Sequence, residues 1–310
     1  MSRMNLCKYL LFSALFAVLM GLFSVAHVTA QGAAKAQSNS FEFVFLTDIH
    51  IRPDMNAPIG FQMAIDEVNR LNPDFVLTGG DLIFDALRGN QQRSDSLFTL
   101  YKNMSKGFNM PVYHCLGNHD LFAIYEESPE GENHPDYKYG MFERYLGETY
   151  YSFNYKGWHF IVLNSLDVTE DKRYKGFVHG EQLQWLKNDL KEVDNTTPVV
   201  VVTHIPFIST WKFVNGGSGT RTVENADEVF ALFENYNLKL VLQGHIHWKE
   251  EGFVNDWFHF ITGGSIAGNA WKGRRHNTRE GFFYIKVNDA VLSWEYVDHG
   301  WEKKRLKLAE

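Results

Sequence analysis

Residues 41–50 read FEFVFLTDIH, and this stretch decides the fold class. Its apolar part, 41–47, is typical of a short buried β-strand, and the strand ends in an aspartate and a histidine. Apolar residues at helical spacing follow over 61–71, and 74–78 is a second short apolar run. Because a helix connects two buried strands, we expect parallel pairing through a right-handed crossover and therefore an α/β fold.

The same alternation continues along the chain and predicts a single mixed α/β domain over 41–310. Further strands are predicted at 111–116, 150–155, 158–163, 199–202 and 238–242, helices at 94–104, 183–193 and 226–236, and short aromatic-rich strands from 253 onward. Residues 121–148 break this rhythm because they are rich in glutamate and contain Pro129 and Pro135. They predict an acidic insertion at the surface.

Polar residues that bind metal ions follow five of the predicted strands. The five segments are Asp48-Ile49-His50, Gly79-Gly80-Asp81, Gly117-Asn118-His119-Asp120, Thr203-His204 and Gly244-His245-Ile246-His247. Ligands of open α/β sheets bind outside the carboxyl ends of the strands, so we expect these segments to converge in one crevice. Asp48 and His50 are two residues apart, as are His245 and His247, so on an extended backbone each pair points the same way.

The residue types in these segments predict a site for hard or borderline metal ions. Carboxylates, imidazoles and one amide suit Mn, Fe or Zn, and the absence of thiolates argues against a structural zinc or iron–sulfur site. Taken alone, an Asp-x-His or a His-x-His motif is common by chance. All five motifs in one chain, each after a predicted strand, are not expected by accident.

Taken together, these motifs resemble the signature of the calcineurin-like metallophosphoesterases, over residues 41–262. The resemblance implies a four-layer αββα sandwich with two divalent metal ions at its rim. Carried over by position, one metal would take Asp48, His50, Asp81 and His247, and the other Asp81, Asn118, His204 and His245. His119 would face the scissile phosphate as a general acid, and Asp120 would orient it.

The reaction that this resemblance implies is hydrolysis of a phosphoric ester by a metal-bound hydroxide. Purple acid phosphatases of this family have a tyrosine ligand where this chain has Phe84, and a glycine in place of His50. The pattern at 180–186 instead resembles the bacterial cyclic-nucleotide and glycerophosphodiester phosphodiesterases, so a small phosphodiester is the favoured substrate. Ile205, Phe207 and Asn164 depart from the common pattern of that branch.

Two other functions remain open. A phosphomonoesterase that scavenges phosphate would share the metal site. A non-catalytic binding protein of the cell envelope would keep the fold, although a structural metal site needs neither an open coordination position nor a general acid.

Two aromatic and basic clusters are candidates for binding the substrate. Trp211 and Arg221 belong to the loop region after His204, and Trp271 and Arg274 follow a Gly-Gly-Ser segment. An aromatic ring can stack on a base, and an arginine can bind a phosphate with two hydrogen bonds. Solvated loops with a few surface aromatics are the alternative interpretation of both clusters.

Composition and charge limit the possible cellular location of the protein and the classes of partner that it can bind. The net charge of −7 disfavours extended binding of nucleic acid, and Cys7 and Cys115 are too few for a disulfide framework. Residues 1–30 have basic residues, an apolar run and small residues at Val28 and Ala30, as in a signal peptide that is cut after Ala30. We therefore expect an exported protein, periplasmic or secreted, with a flexible leader at 31–40 and no membrane span after cleavage. An uncleaved N-terminal anchor is the alternative, and the sequence leaves the oligomeric state open.

Overall fold

The computed structural model describes residues 39–216 and 221–301. The strands are β1 (Phe41–Leu46), β2 (Phe75–Thr78), β3 (Val112–Tyr113), β4 (Tyr151–Tyr155), β5 (Trp158–Val162), β6 (Leu166–Val168), β7 (Tyr174–Gly176), β8 (Pro198–Val202), β9 (Asn237–Gln243), β10 (Glu250–Val254), β11 (Phe258–Thr262), β12 (Gly281–Asn288) and β13 (Val291–Asp298). The helices are α1 (Ala57–Leu71), α2 (Gln91–Ser105), α3 (Gly140–Leu146), α4 (Gly180–Lys191), α5 (Trp211–Asn215) and α6 (Ala226–Ala231), and a 3₁₀ turn spans Asn118–Asp120.

The strands form two mixed sheets and one small hairpin. The first sheet has the order β13-β12-β1-β2-β3, the second has the order β10-β11-β9-β8-β5-β4, and β6 pairs with β7. In the first sheet β1, β2 and β3 are parallel, and in the second β5, β8, β9 and β11 are parallel. The parallel pairing predicted from 41–78 is therefore confirmed, with Phe43 opposite Phe75.

Aromatic side chains fill the space between the two sheets. The alternate residues Phe41, Phe43 and Phe45 of β1 all face this layer. The ring of Phe43 stacks on Phe75 at 5.1 Å between centroids and meets Phe160 of the second sheet edge-on at 5.6 Å. Offset stacks and edge contacts are the favoured geometries of aromatic pairs, so they hold the sheets together face to face.

The outer faces of both sheets are covered by helices. Val44 and Leu46, which alternate with the phenylalanines of β1, share a buried cluster with residues of α1 and α2. On the second sheet, Val199 and Val201 share that cluster with residues of α4 and α6. The layers are therefore helix, sheet, sheet and helix, which confirms the four-layer αββα sandwich.

Two elements are shorter than the sequence predicts. The predicted strand 111–116 pairs only at Val112 and Tyr113, because the Thr78 hydroxyl, rather than a neighbouring strand, accepts a hydrogen bond from Cys115 N at 3.0 Å. The predicted helix 226–236 ends at Ala231 and continues as single turns.

Both ends of the predicted insertion 121–148 pack onto the rest of the fold. Leu121–Ile124 and the Met141–Phe142 pair of α3 are buried, and residues 126–133 are mostly exposed. Arg144 joins Asp136 and Asp95 of α2 through its guanidinium. The predicted signal peptide and nearly all of the predicted leader lie outside the described residues. Within the described ranges, no helix has the length and apolarity needed to cross a membrane.

Candidate metal centre

The seven residues predicted as metal ligands meet at one edge of the two sheets. They follow β1, β2, β3, β8 and β9, and every one of their side chains is buried; the residues are Asp48, His50, Asp81, Asn118, His204, His245 and His247. The structure thus brings together loops that are up to 199 residues apart in the chain, from Asp48 to His247. The expected convergence in a crevice at the strand ends is present.

The backbone brings the ligand pairs together in a way that the sequence does not predict. Asp48 and His50 have φ angles of 55° and 46°, and His245 and His247 have φ angles of 75° and 61°. These residues are in the left-handed region, so the expectation of an extended Asp-x-His and His-x-His is wrong. Non-glycine residues with positive φ cluster at functional sites because the surrounding structure must hold them there.

The first set of ligand atoms comes from Asp48, His50, Asp81 and His247, and these atoms all lie within 4.8 Å of one another. Nε2 of His50 lies 3.0 Å from Nε2 of His247, and Nε2 of His247 lies 3.2 Å from Oδ1 of Asp48. Nδ1 of His247 donates to the Gly268 carbonyl at 2.6 Å, so its Nε2 presents a lone pair to the cluster. Such a set of converging lone pairs fits a cation.

The second set comes from Asp81, His204 and His245, with Asn118 between the two imidazoles. Oδ1 of Asn118 lies 3.0 Å from Nε2 of His204 and 2.9 Å from Nδ1 of His245. Oδ1 of Asp81 faces His204 at 3.3 Å, while its Oδ2 faces His50 of the first set at 3.5 Å. Asp81 therefore points one oxygen at each set, which is the arrangement of a carboxylate that bridges two metals.

The hydrogen bonds of the Asp48 carboxylate test whether these residues suit a bound metal ion. Its Oδ2 accepts hydrogen bonds from the Thr47 hydroxyl at 2.7 Å and from the His245 backbone N–H at 3.1 Å. Its buried Oδ1 has no hydrogen-bond partner among the described residues. A buried carboxylate oxygen without a donor is costly, and a cation at this point would satisfy it.

The protonation states of the site also suit metal ligands. Burial raises the pKa of Asp48, but His247 outweighs it and lowers that pKa to about 2. Burial together with the neighbouring His204 lowers the pKa of His245 to about 3. Burial also lowers the pKa of His50. The carboxylate is therefore ionised and these imidazoles are neutral near neutral pH, which is the form that binds metals.

Two positions near the site require glycine because other atoms approach the backbone closely there. A Cβ at Gly117 would lie 1.9 Å from the Asp81 nitrogen, and a Cβ at Gly80 would lie 2.6 Å from Nδ1 of His204. Gly80 also has a φ of 88°. Both positions require glycine so that the loops can pack around the ligands.

The predicted general acid, His119, lies at the edge of this site. Its ring centroid is 4.7 Å from that of His50, with the ring planes at 87°. Its backbone N–H donates to Oδ1 of Asp81 at 2.7 Å, which fixes the residue next to the bridging carboxylate. Its Nδ1 is buried and has no partner among the described residues. The imidazole is thus placed to exchange a proton with a substrate.

The predicted role of Asp120 is wrong, because its carboxylate does not contact the imidazole of His119. Oδ1 accepts from the backbone N–H groups of Leu82 and Ile83 at 2.9 and 3.0 Å, and Oδ2 accepts from Gly117 N at 2.8 Å. Asp120 therefore joins the loops after β2 and β3 and positions the backbone around the site. Adjacency in sequence to His119 gave no information about this partner.

Of the second predicted substrate-binding cluster, Trp271 does not face the site, and the prediction for Arg274 stays a prediction. The Trp271 ring is fully buried, and its Nε1 donates to the carbonyls of Ile49 and His50 at 3.0 and 3.1 Å. The prediction for Trp271 is therefore wrong, and the ring supports the Asp48–His50 loop from behind. Arg274 is exposed. Its neighbour Arg275 is instead half-buried and electrostatically coupled to Asp48, Arg221 and Tyr174.

Trp211 and Arg221 lie close to the His245 side of the centre. The Arg221 guanidinium lies 4.7 Å from the Trp211 ring centroid, and Trp211 packs against Trp248 at 4.9 Å. Burial lowers the pKa of Arg275, and the charge of Arg221 lowers it further. Neither arginine forms an ion pair with a described residue, so the pair leaves positive charge next to the centre.

Several residues that the sequence did not single out also hold the site in place. The Thr47 hydroxyl orients Asp48, the Gly79 carbonyl accepts from Nδ1 of His204 at 2.6 Å, and the Tyr174 ring lies 5.9 Å from that of His245. Backbone carbonyls carry no sequence signal. The position of Thr47 directly before Asp48 was the one signal available.

Phe84 occupies the position compared above with the tyrosine of purple acid phosphatases. Its ring centroid is 6.3 Å from that of His119 and 6.4 Å from that of His50. A phenylalanine offers no oxygen to a metal, so the site is limited to carboxylates, imidazoles and the amide of Asn118.

Known proteins with similar sequences come from more than one branch of a single family. The chain is 29% identical over 213 residues to a 3',5'-cyclic-nucleotide phosphodiesterase of Nostoc sp., covering 65% of this chain and 70% of the relative. It is 28% identical over 232 residues to purple acid phosphatase 21 of Arabidopsis thaliana, covering 67% of this chain and 47% of the relative. The matches cover between 24% and 50% of the length of these purple acid phosphatases.

A solved structure and a family signature complete the comparison. The crystal structure of a dimetal phosphatase from Danio rerio superposes with a TM-score of 0.61 at 14% identity, covering 84% of this chain and 96% of that one, and it shows the shared fold. Residues 41–249, more than half of this chain, match the calcineurin-like phosphoesterases. The chain therefore belongs to the calcineurin-like phosphoesterase family.

Proposed function

We propose that this protein is a metal-dependent phosphoesterase and that its substrate is a small phosphodiester. The observation that carries the proposal is the position of Asp81, whose two oxygens face two separate sets of buried ligands. Members of this family use two divalent metal ions. Bound in these sets, two such ions would stabilise charge on the phosphate and provide an activated water near neutral pH.

Side chains of this protein would bind the phosphate and donate the proton to the leaving group. Arg221 and Arg275 provide positive charge on the His245 side, where phosphate oxygens would bind. His119 lies on the His50 side and would protonate the leaving oxygen, which departs as an alcohol. As the water oxygen bonds to phosphorus, the bond from phosphorus to the leaving oxygen breaks. That oxygen takes the proton of His119, and a proton of the attacking water is released.

The preference for a diester has its own support. A cyclic nucleotide is a phosphodiester, and one of the relatives reported above is named for hydrolysing it. Phe84 in place of the tyrosine ligand separates this site from that of the purple acid phosphatases, although their sequence identity to the chain is similar.

The test is hydrolysis of bis-p-nitrophenyl phosphate beside p-nitrophenyl phosphate, after treatment with a chelator and again after adding Mn²⁺, Zn²⁺ or Fe²⁺. We expect diester turnover that chelation removes and metal restores. Turnover of the monoester alone would instead support a phosphomonoesterase. Two bound metals without turnover of either ester would contradict the proposal and favour the binding-protein alternative.

We further propose that the protein is exported, on the basis of the basic, apolar and small-residue pattern of residues 1–30. Mass spectrometry of the protein from the periplasm or the medium should give an N-terminus at Gln31. An intact Met1 on membrane-bound protein would instead support the N-terminal anchor.

A further inference from the structure

A cavity of about 710 Å³ opens beside the metal centre, between the loop that follows β1 and the helix α2. It is lined by both apolar and polar side chains; the residues used below are Arg52, Phe84, Arg93, Ser96, Leu97 and Leu100. The volume is in the range of pockets that bind small organic molecules. We call this space the Phe84 cavity.

The ring of Phe84 borders both the cavity and the metal centre. On one side it lies 6.3 Å from the His119 ring, with the planes 26° apart. On the other side the guanidinium of Arg52 lies 4.0 Å from its centroid. Phe84 is therefore the cavity residue that contacts the ring of His119.

The charges around the cavity favour a neutral or weakly anionic guest. Arg52 is paired with Asp54, through a bond from its Nη2 at 2.7 Å. Arg93 donates to the Asp85 carbonyl at 3.0 Å and forms no ion pair with a described residue. Two guanidinium groups and one carboxylate thus line the cavity together with apolar side chains, and planar guanidinium and phenyl groups both stack well on flat rings.

We infer that the Phe84 cavity binds the leaving alcohol of the substrate and that this alcohol carries a planar aromatic group, such as a nucleoside or an aryl group. The inference rests on the proposed function, because it places the leaving oxygen at His119. Atoms attached to that oxygen then lie beside Phe84. The apolar side chains of Leu97 and Leu100 receive the ring.

The test fills the cavity and measures binding without catalysis. Ser96 is exposed on α2 and lines the cavity, so Ser96→Trp blocks it with little effect on the core. Lys187→Trp, at an exposed position of α4, is the matched control. Adenosine and p-nitrophenol are titrated into the full-length protein by calorimetry, one probe for each source of the aromatic group.

We expect the wild type and Lys187→Trp to bind at least one probe, and Ser96→Trp to weaken that binding by roughly tenfold or more. Phe84→Leu keeps an apolar wall but removes the aromatic face, and it should weaken the same probe roughly fivefold. If neither probe binds to the wild type, or if Ser96→Trp binds as the wild type does, the inference is wrong.

A kinetic comparison separates this inference from the proposed function. Ser96→Trp should raise KM for bis-p-nitrophenyl phosphate and leave KM for glycerophosphocholine, whose leaving groups are aliphatic, unchanged. An equal rise for both substrates would contradict an aromatic leaving-group site. Probe binding that Ser96→Trp abolishes, in a protein with no metal-dependent hydrolysis, would support the cavity and overturn the proposed function.

Discussion

Nε2 of His204 and Oδ1 of Asp81 lie 3.3 Å apart, and Nδ1 of His204 donates to the Gly79 carbonyl, so Nε2 is the atom that can take either a proton or a metal ion. Burial lowers the pKa of His204, but Asp81 outweighs it and raises that pKa to about 9, so a positive charge between the two atoms is favoured, either a proton on Nε2 or a bound cation. A divalent cation provides this charge and also satisfies Asn118. The contact therefore suits metal binding, in which the cation would take the place of the proton on Nε2.

Asp81→Asn tests this interpretation. The amide keeps the shape of the side chain but has only one oxygen, so it cannot provide a ligand to both sets. We expect metal content to fall from two ions to one or fewer and diester hydrolysis to fall by at least about a hundredfold. Elemental analysis and steady-state rates measure the two effects. Asp66→Asn, on the exposed face of α1, is the control and should keep both metals.

Thr47→Val tests the support of Asp48. Valine matches threonine in shape but cannot donate the 2.7 Å hydrogen bond to Oδ2 of Asp48. Groups that orient metal ligands contribute roughly ten- to a hundredfold to metal affinity, so we expect a loss of about tenfold. Competition with a chromogenic chelator measures it. Unchanged affinity for both metals would show that the His245 backbone N–H alone fixes the carboxylate.

His119→Asn tests the proton donor. An alkyl alcohol leaves poorly without a proton, whereas p-nitrophenol is acidic enough to leave as its anion. We expect kcat to fall by about a hundredfold or more for glycerophosphocholine and much less for bis-p-nitrophenyl phosphate, with metal content unchanged. An equal loss for both leaving groups would assign His119 to binding or positioning and not to proton transfer.

The sequence predicted which residues meet at this edge because they follow buried strands, and parallel strands of one sheet end at the same edge. It could not predict the left-handed backbone at Asp48 and His247, since that conformation depends on contacts among loops far apart in the chain. The same reason explains the errors at Asp120 and Trp271. Their partners, Gly117 and Ile49 among others, are set by tertiary packing and not by neighbours in sequence.

The choice between two adjacent arginines shows this limit most clearly. Arg274 and Arg275 are adjacent in sequence, yet Arg274 is exposed whereas Arg275 is half-buried and interacts electrostatically with Asp48. Ala270 and Trp271 both have positive φ, at 47° and 66°, in the loop that leads to this pair. A turn of this kind decides which side chain faces inward, and no local pattern predicts it.

His114 gives the protein a pH-dependent stability that is separate from the metal centre. Its Nδ1 lies 3.0 Å from the Tyr101 hydroxyl, and burial lowers its pKa to about 4. An unfolded chain takes up a proton on this ring near pH 6.5, whereas the folded chain resists it down to about pH 4. The stability is therefore complete above pH 6.5 and decreases as the pH falls from there toward 4.

His114→Gln removes the titration and keeps a hydrogen-bond acceptor for Tyr101. Between pH 7.5 and 4.5 we expect the wild type to lose about 2.5 kcal/mol more unfolding free energy than this variant, from urea denaturation at both pH values. Tyr101→Phe removes the hydrogen bond between the Tyr101 hydroxyl and His114 but leaves the imidazole. It should therefore lose about 1 kcal/mol at both pH values and keep the pH dependence of the wild type. If His114→Gln loses as much stability on acidification as the wild type, the acid sensitivity comes from other groups, and the buried ring of His114 is already protonated at little cost.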